Sequence, residues 1–140
     1  RQRHGLWLHT KRVATCFERV SQSMVKQGFL SWDDVDNGRA ACLLHDMYKY
    51  GMPPTSVDST VSSHDAIAAE WLEQHTQLPD DVVGAVEAHN GPWCQGKAPE
   101  SHLEQMVHIA DMYASDTNAR IAVKDPHIIL REQFPRVSER

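Results

Sequence analysis

A chain of 140 residues, 41% hydrophobic and 24% charged, has the size and composition of one globular domain with a real core. Its formal net charge of −5, with no lysine- or arginine-rich block, argues against a broad basic grip on nucleic acid. It leaves room for a small phosphorylated substrate, whose charge bound cations can meet. No apolar run approaches the roughly 20 residues of a membrane span, and no secretory signal is visible. Three widely spaced cysteines (Cys16, Cys42, Cys94) form neither a CxxC pair nor a disulfide framework, so a reducing, cytoplasmic setting is expected. The chain opens on Arg1 rather than methionine, which leaves room for residues upstream.

Helical periodicity and clear punctuation predict an all-α fold. A first helix is expected from about Leu6 to Lys26, stopped at Gln27-Gly28, where glycine can take a left-handed turn. Ser31 with Asp34 reads as a capping box, opening a helical region that continues, either unbroken or after a break at Asn37-Gly38, to about Tyr50, where Gly51-Met52-Pro53-Pro54 ends it. Thr55 to Val61 is polar loop. Ser62 or Ser63 caps a third helix running to about Gln74, and Pro79-Asp80-Asp81 starts a fourth that ends at Asn90-Gly91-Pro92. After a loop from Gly91 to Glu100, Ser101 with Glu104 opens a fifth helix to about Thr117. Residues 121–140 are weakly patterned, with one short helix possible near Ile128 to Glu132. Alternating strand patterns, repeats and a second domain are absent from the pattern, so a single domain over 1–140 is expected.

A helix turns about 100° per residue, so positions i, i+3, i+4 and i+7 share a face. Leu6, His9, Val13, Cys16, Val20 and Met24 form one stripe. Asp46 follows Cys42 by four, in the dipeptide His45-Asp46 that ends the apolar run Ala40 to Leu44. His64 shares a face with Ile67, Ala68 and Trp71. Val82, Val86 and His89 align, as do Leu103, Val107, Ala110, Asp111 and Ala114. Five helices thus each turn a potential ligand toward the core. Any one of these histidines alone reads more simply as a core histidine with a hydrogen-bond partner. Five independent reasons to bury polar groups are harder to supply than one shared metal site. Imidazole with carboxylate suits iron, manganese, nickel, cobalt or zinc better than calcium.

The remaining histidines divide differently. His102 lies opposite Asp111 and should be solvated, and His108, three positions from Asp111, is expected at the border of the site or behind its ligands, with ligation as the lesser alternative. His75 is eleven residues beyond His64, about 16 Å along a helix and too far for the same site. His4 and His127 sit in weakly patterned ends. Asp65, at the start of its helix, is placed to favour the positive end of the dipole.

The order His9, His45-Asp46, His64, His89 and Asp111 resembles the HD-domain metal-dependent phosphohydrolase superfamily. Leu8-His9-Thr10-Lys11-Arg12-Val13 looks like its first histidine motif, and Leu43-Leu44-His45-Asp46-Met47-Tyr48-Lys49 like its central one. His64 to Trp71 and Val86 to Gly91 resemble the two further histidine motifs of its dinuclear branch, and Ile109-Ala110-Asp111-Met112 its final aspartate motif. The likeness spans about residues 4 to 120 and is strongest to small bacterial HD hydrolases of dinucleoside polyphosphates. It implies a five- to six-helix bundle with a metal site in its core. In that arrangement His9, His45, Asp46 and Asp111 would hold one ion, and Asp46 would bridge to a second held by His64 and His89. One or two divalent ions are expected, iron or manganese first, with nickel, cobalt, zinc or magnesium as alternatives.

The implied activity is hydrolysis of a phosphate ester or anhydride, most simply in a nucleotide or dinucleotide, by a metal-bridging hydroxide. Lys49, one turn beyond His45 and Asp46, can neutralise a phosphoryl oxygen or protonate the leaving group, or simply favour the helix end. Arg12, three residues after His9, can orient a phosphate or be an ordinary surface arginine. In the loop from Gly91 to Glu100, Trp93 and Lys97 can stack on a base or cover the pocket, and Trp93 can equally be a hydrophobic plug. The rival readings are a diiron oxygenase of the same superfamily, a non-catalytic nucleotide or metal sensor, and a structural helical domain. A dimer is compatible with all of them.

Overall fold

The computed structural model describes residues 5–49, 63–91 and 96–115. Among these residues the structure is all-α: α1 (Gly5–Lys26), α2 (Trp32–Leu44), α3 (His64–His75), α4 (Asp80–Ala88) and α5 (His102–Ser115), with no strand. The expected loop at Thr55 to Val61, the Gly51 to Pro54 stop, Trp93, Cys94, His4, His127 and the short helix near Ile128 lie outside the described residues.

Local chemistry sets the element ends. α1 stops where Gly28 adopts φ +82°, a conformation that favours glycine. The Ser31 hydroxyl accepts from the Asp34 amide while the Asp34 carboxylate accepts from the Ser31 amide, completing the expected box. Ser101 and Glu104 repeat this exchange at the start of α5. Ser63 precedes α3 without a side-chain cap.

The bundle is organised around α1, α2, α4 and α5. α1 packs on α2 and α5, while α4 packs on α2, α3 and α5. Val13, Phe17, Ala41, Cys42, Ala68, Leu72, Val82, Val86, Val107 and Ala110 are the centre of the shared core. Burying each large apolar side chain there contributes about 1.5–3 kcal/mol.

Two expectations change, and one open choice closes. Of the two alternatives at Asn37-Gly38 the unbroken helix is the one found, and α2 runs through it. A Cβ on Gly38 would overlap the Phe17 ring, so glycine is what lets α1 and α2 approach, and packing outweighs its low helix propensity of about 1 kcal/mol. The helix also ends at Leu44 rather than near Tyr50; His45 to Lys49 continue in tighter turns, with Met47 and Lys49 amides donating to the Leu44 and Asp46 carbonyls. Val20, expected inward, is exposed. The buried side of α1 there carries Phe17, Glu18 and Ser21 instead, and Glu18 accepts from Arg39 of α2 at 2.9 Å.

Candidate metal centre

Each potential ligand sits at an element end or on an inward face, and two are positioned by the same device. His45 and His89 each occupy the residue just past a helix, α2 and α4 respectively. Each turns Nδ1 back to a terminal carbonyl, that of Cys42 or Val86, at 2.6 Å. The last carbonyls of a helix are short of amide partners, so an imidazole N–H finds an acceptor there, the Val86 carbonyl taking the His89 amide as well at 3.4 Å. The cost of that choice falls on the other nitrogen: with the proton on Nδ1, the neutral ring presents a bare Nε2 lone pair to the core. Both rings are completely buried. His64 opens α3, His9 lies in the second turn of α1, and Asp111 lies on α5 facing it.

These six side chains converge. Asp46 is central, and its two oxygens face two groups. Oδ2 lies 3.1 Å from His45 Nε2 and 3.5 Å from His9 Nε2. Oδ1 lies 3.1 Å from His64 Nε2 and 3.5 Å from His89 Nε2. Asp111 Oδ1 completes the first group, 2.9 Å from His9 Nε2 and 3.3 Å from His45 Nε2. Within the second, His64 and His89 bring their Nε2 atoms to 3.0 Å.

Such a set fits a cation. His45 Nε2 and Asp46 Oδ2 are buried and have no hydrogen-bond partner among the protein atoms, although they lie close together. An unsatisfied buried polar atom costs about 1–3 kcal/mol, more when charged. Here two such atoms face one another with further nitrogen and oxygen lone pairs around them. His9, His45 and Asp111 offer donor atoms within 4.8 Å of one another, as do His45, Asp46 and His89. Borderline nitrogen donors with carboxylate oxygens are a donor set for a divalent transition ion.

Without an ion, a proton takes that place. Burial works against a charged His45 ring, but the Asp111 and Asp46 carboxylates outweigh it and raise its pKa to about 10. Burial would likewise raise the Asp46 carboxyl, yet the imidazoles of His45, His64 and His89 hold it well below the usual range. Asp111 is lowered in the same way, against burial, by His45 and His9. The two carboxylates are therefore charged, and their negative charge, which retains a proton on His45, would equally stabilise a cation in its place.

Lys49 Nζ lies 3.9 Å from Asp46 Oδ2 and is part-exposed at the rim. Arg12 is half-buried, its Nε without a hydrogen-bond partner. Lys97 is committed to Glu104 at 2.7 Å. His102 is exposed, edge-on to Phe29, and exposed His75 stacks on Trp71.

The sequence reasoning missed Asn90 and Gly91 in these roles and read Asp65 only as a helix-end acid, whereas His108, expected at the border of the site or behind its ligands, does stand behind one. Asn90 Nδ2 meets His64 Nε2 at 3.0 Å. His108 donates from Nδ1 to the His89 carbonyl at 2.6 Å, bracing the turn that presents His89. Gly91 in that turn has φ +58°, and a Cβ on it would press on the His108 ring. Asp65 is fully buried; its carboxylate accepts from the Ala66 and Gly96 amides and pins the far side of the α4–α5 loop beside His64. Its position directly after His89 was the available signal for Asn90, as the spacing of three from Asp111 was for His108.

The family model described as HD domain matches residues 6–116, most of the chain and all six converging side chains. No curated protein and no solved structure matches.

Proposed function

The chain belongs to the HD-domain family, whose members are typically metal-dependent hydrolases, and on that premise we propose that it is a metal-dependent phosphohydrolase acting on a small organic phosphate, a nucleotide or dinucleotide. The observation that carries this reading is the close approach of two buried atoms, His45 Nε2 and Asp46 Oδ2 at 3.1 Å, inside a ring of four more donors. His9, His45, Asp46 and Asp111 would hold one divalent ion and His64, His89 and Asp46 a second, iron or manganese first. Bound there, divalent ions lower the pKa of water from ~15.7 toward ~7 and neutralise charge on phosphoryl oxygens.

The protein groups supply the rest. Asp46, held ionised by its imidazoles, keeps both oxygens available as acceptors. The Nδ1–H bonds of His45 and His89 to carbonyls fix the rings so that they need not reorganise during reaction. Attack by water on phosphorus breaks the bond to the leaving oxygen, and Lys49 at the rim stabilises that oxygen or gives it a proton. The free thiols of Cys16 and Cys42 accord with a cytoplasmic setting, and no helix among the described residues is long and apolar enough to cross a membrane.

A screen of protein reconstituted with manganese or iron against nucleotides and dinucleotides tests the proposal, read as phosphate or nucleotide release. Turnover is expected in wild type and absent in Asp46→Ala. Oxygen consumption without phosphate release would replace hydrolysis with oxygenation, and equal turnover in Asp46→Ala would dismiss this site.

A further inference from the structure

The second group of donors is one short of the first. His9, His45, Asp111 and Asp46 Oδ2 face one place, whereas His64, His89 and Asp46 Oδ1 face the other. A further polar group stands beside this second set. The side-chain amide of Asn90 presents Nδ2 at 3.0 Å from His64 Nε2. That is as close as His89 Nε2 at 3.0 Å and Asp46 Oδ1 at 3.1 Å. Among the described residues His64 is the only side-chain partner of this amide. The backbone that carries it is held from two sides. Asn90 directly follows His89, Gly91 turns the chain at φ +58°, and His108 Nδ1 donates to the His89 carbonyl at 2.6 Å.

We infer that Asn90 is a ligand of the second ion, through its side-chain oxygen Oδ1. The inference rests on the two-ion reading of the cluster and adds a ligand to it. Neighbouring donors on an octahedral ion with bonds of about 2.1 Å lie about 3.0 Å apart. The Asn90 amide, His89 Nε2 and Asp46 Oδ1 all keep that spacing from His64 Nε2. An ion bound at His64 Nε2 takes the lone pair that faces the Asn90 N–H. The N–H then points at a cation, which it cannot bind. A half-turn of the amide about its last side-chain torsion exchanges Nδ2 for Oδ1, a group of nearly the same size that carries two lone pairs. The exchange moves no backbone, and the hydrogen bond it gives up is the one the ion has already displaced. A neutral amide oxygen is a hard donor, suited to manganese, magnesium or iron(II) more than to copper. With Asn90 each of the two places has four protein donors, and the second acquires no further negative charge.

Manganese(II) titration of wild type, Asn90→Ala and Asn90→Asp tests the inference, with the free ion read by its electron paramagnetic resonance signal. Wild type should take up two ions per chain. Asn90→Ala should weaken the second by at least about tenfold and leave the first within about twofold, which also shows that the variant is folded. Asn90→Asp keeps an oxygen at the site and loses the N–H, so it should hold the second ion at least as tightly as wild type. Unchanged affinity for the second ion in Asn90→Ala would overturn the inference. So would a loss in Asn90→Asp equal to that in Asn90→Ala, because the amide would then act through its N–H. Either result leaves the two-ion reading standing. A single ion per chain in saturated wild type would reject the two-ion reading and the added ligand with it.

Discussion

Metal uptake should expel a proton from His45. In the metal-free protein this ring holds its second proton with a pKa of about 10, because two carboxylates outweigh the cost of burying the charge. A metal needs the Nε2 lone pair that this proton occupies. At pH 7 the gap of about three units leaves roughly one molecule in a thousand ready to bind, a penalty of about 4 kcal/mol. Asp46 and Asp111, both shifted downward, stay ionised and contribute no proton. Binding of the first ion should therefore release about one proton from this ring and strengthen about tenfold per pH unit from roughly pH 6.5 to 8.5. Calorimetric titration of manganese(II) into metal-free protein, in Pipes, Hepes and Tris at one pH, reads the proton through the buffers' different ionisation heats. Heats independent of buffer, together with an affinity flat in pH, would refute the reasoning.

The same proton sets the stability of the metal-free protein. A raised histidine pKa contributes fully below the unfolded value of about 6.5 and is lost as pH climbs to about 10, whereas the lowered carboxylates contribute above about 3.9 and fail below it. The thermal midpoint should fall between about pH 7 and 10, less steeply in Asp46→Asn, as followed by circular dichroism. Gly38→Ala drives a methyl into Phe17 and should destabilise by about 1–3 kcal/mol in urea unfolding, with part recovered in the double variant with Phe17→Leu. His108→Ala frees the His89 carbonyl and should weaken metal binding by about tenfold in equilibrium dialysis. Lys97→Ala, whose ammonium serves Glu104, should leave KM for any substrate within about twofold.

The parts of the fold that depend on local chemistry were readable in advance: the two Ser–acid boxes, the Gly28 stop and the inward spacing of His9, His89 and Asp111. Position along a helix fixes which way such a side chain points, and the converging set follows from that. Gly38 kept two readings open because its purpose lies in Phe17, 21 residues earlier in the chain, and no local rule contains that contact. Val20 was misread because the side of α1 that is covered depends on where α2 crosses it. Lys97 drew attention as a cation in a loop, and only the fold brings Glu104 to it. Asp65 does lie in the first turn of α3, as expected of a helix-end acid, and its second role, accepting from the Gly96 amide, is a contact between distant segments that no local rule contains.

Anomalous diffraction from crystals of manganese-loaded protein tests the central claim most directly. Two peaks are predicted on either side of the Asp46 carboxylate, one among His9, His45 and Asp111 and the other beside His64 and His89, with both lost in Asp46→Ala. Fully loaded crystals with no peak within bonding distance of Asp46 would contradict the account.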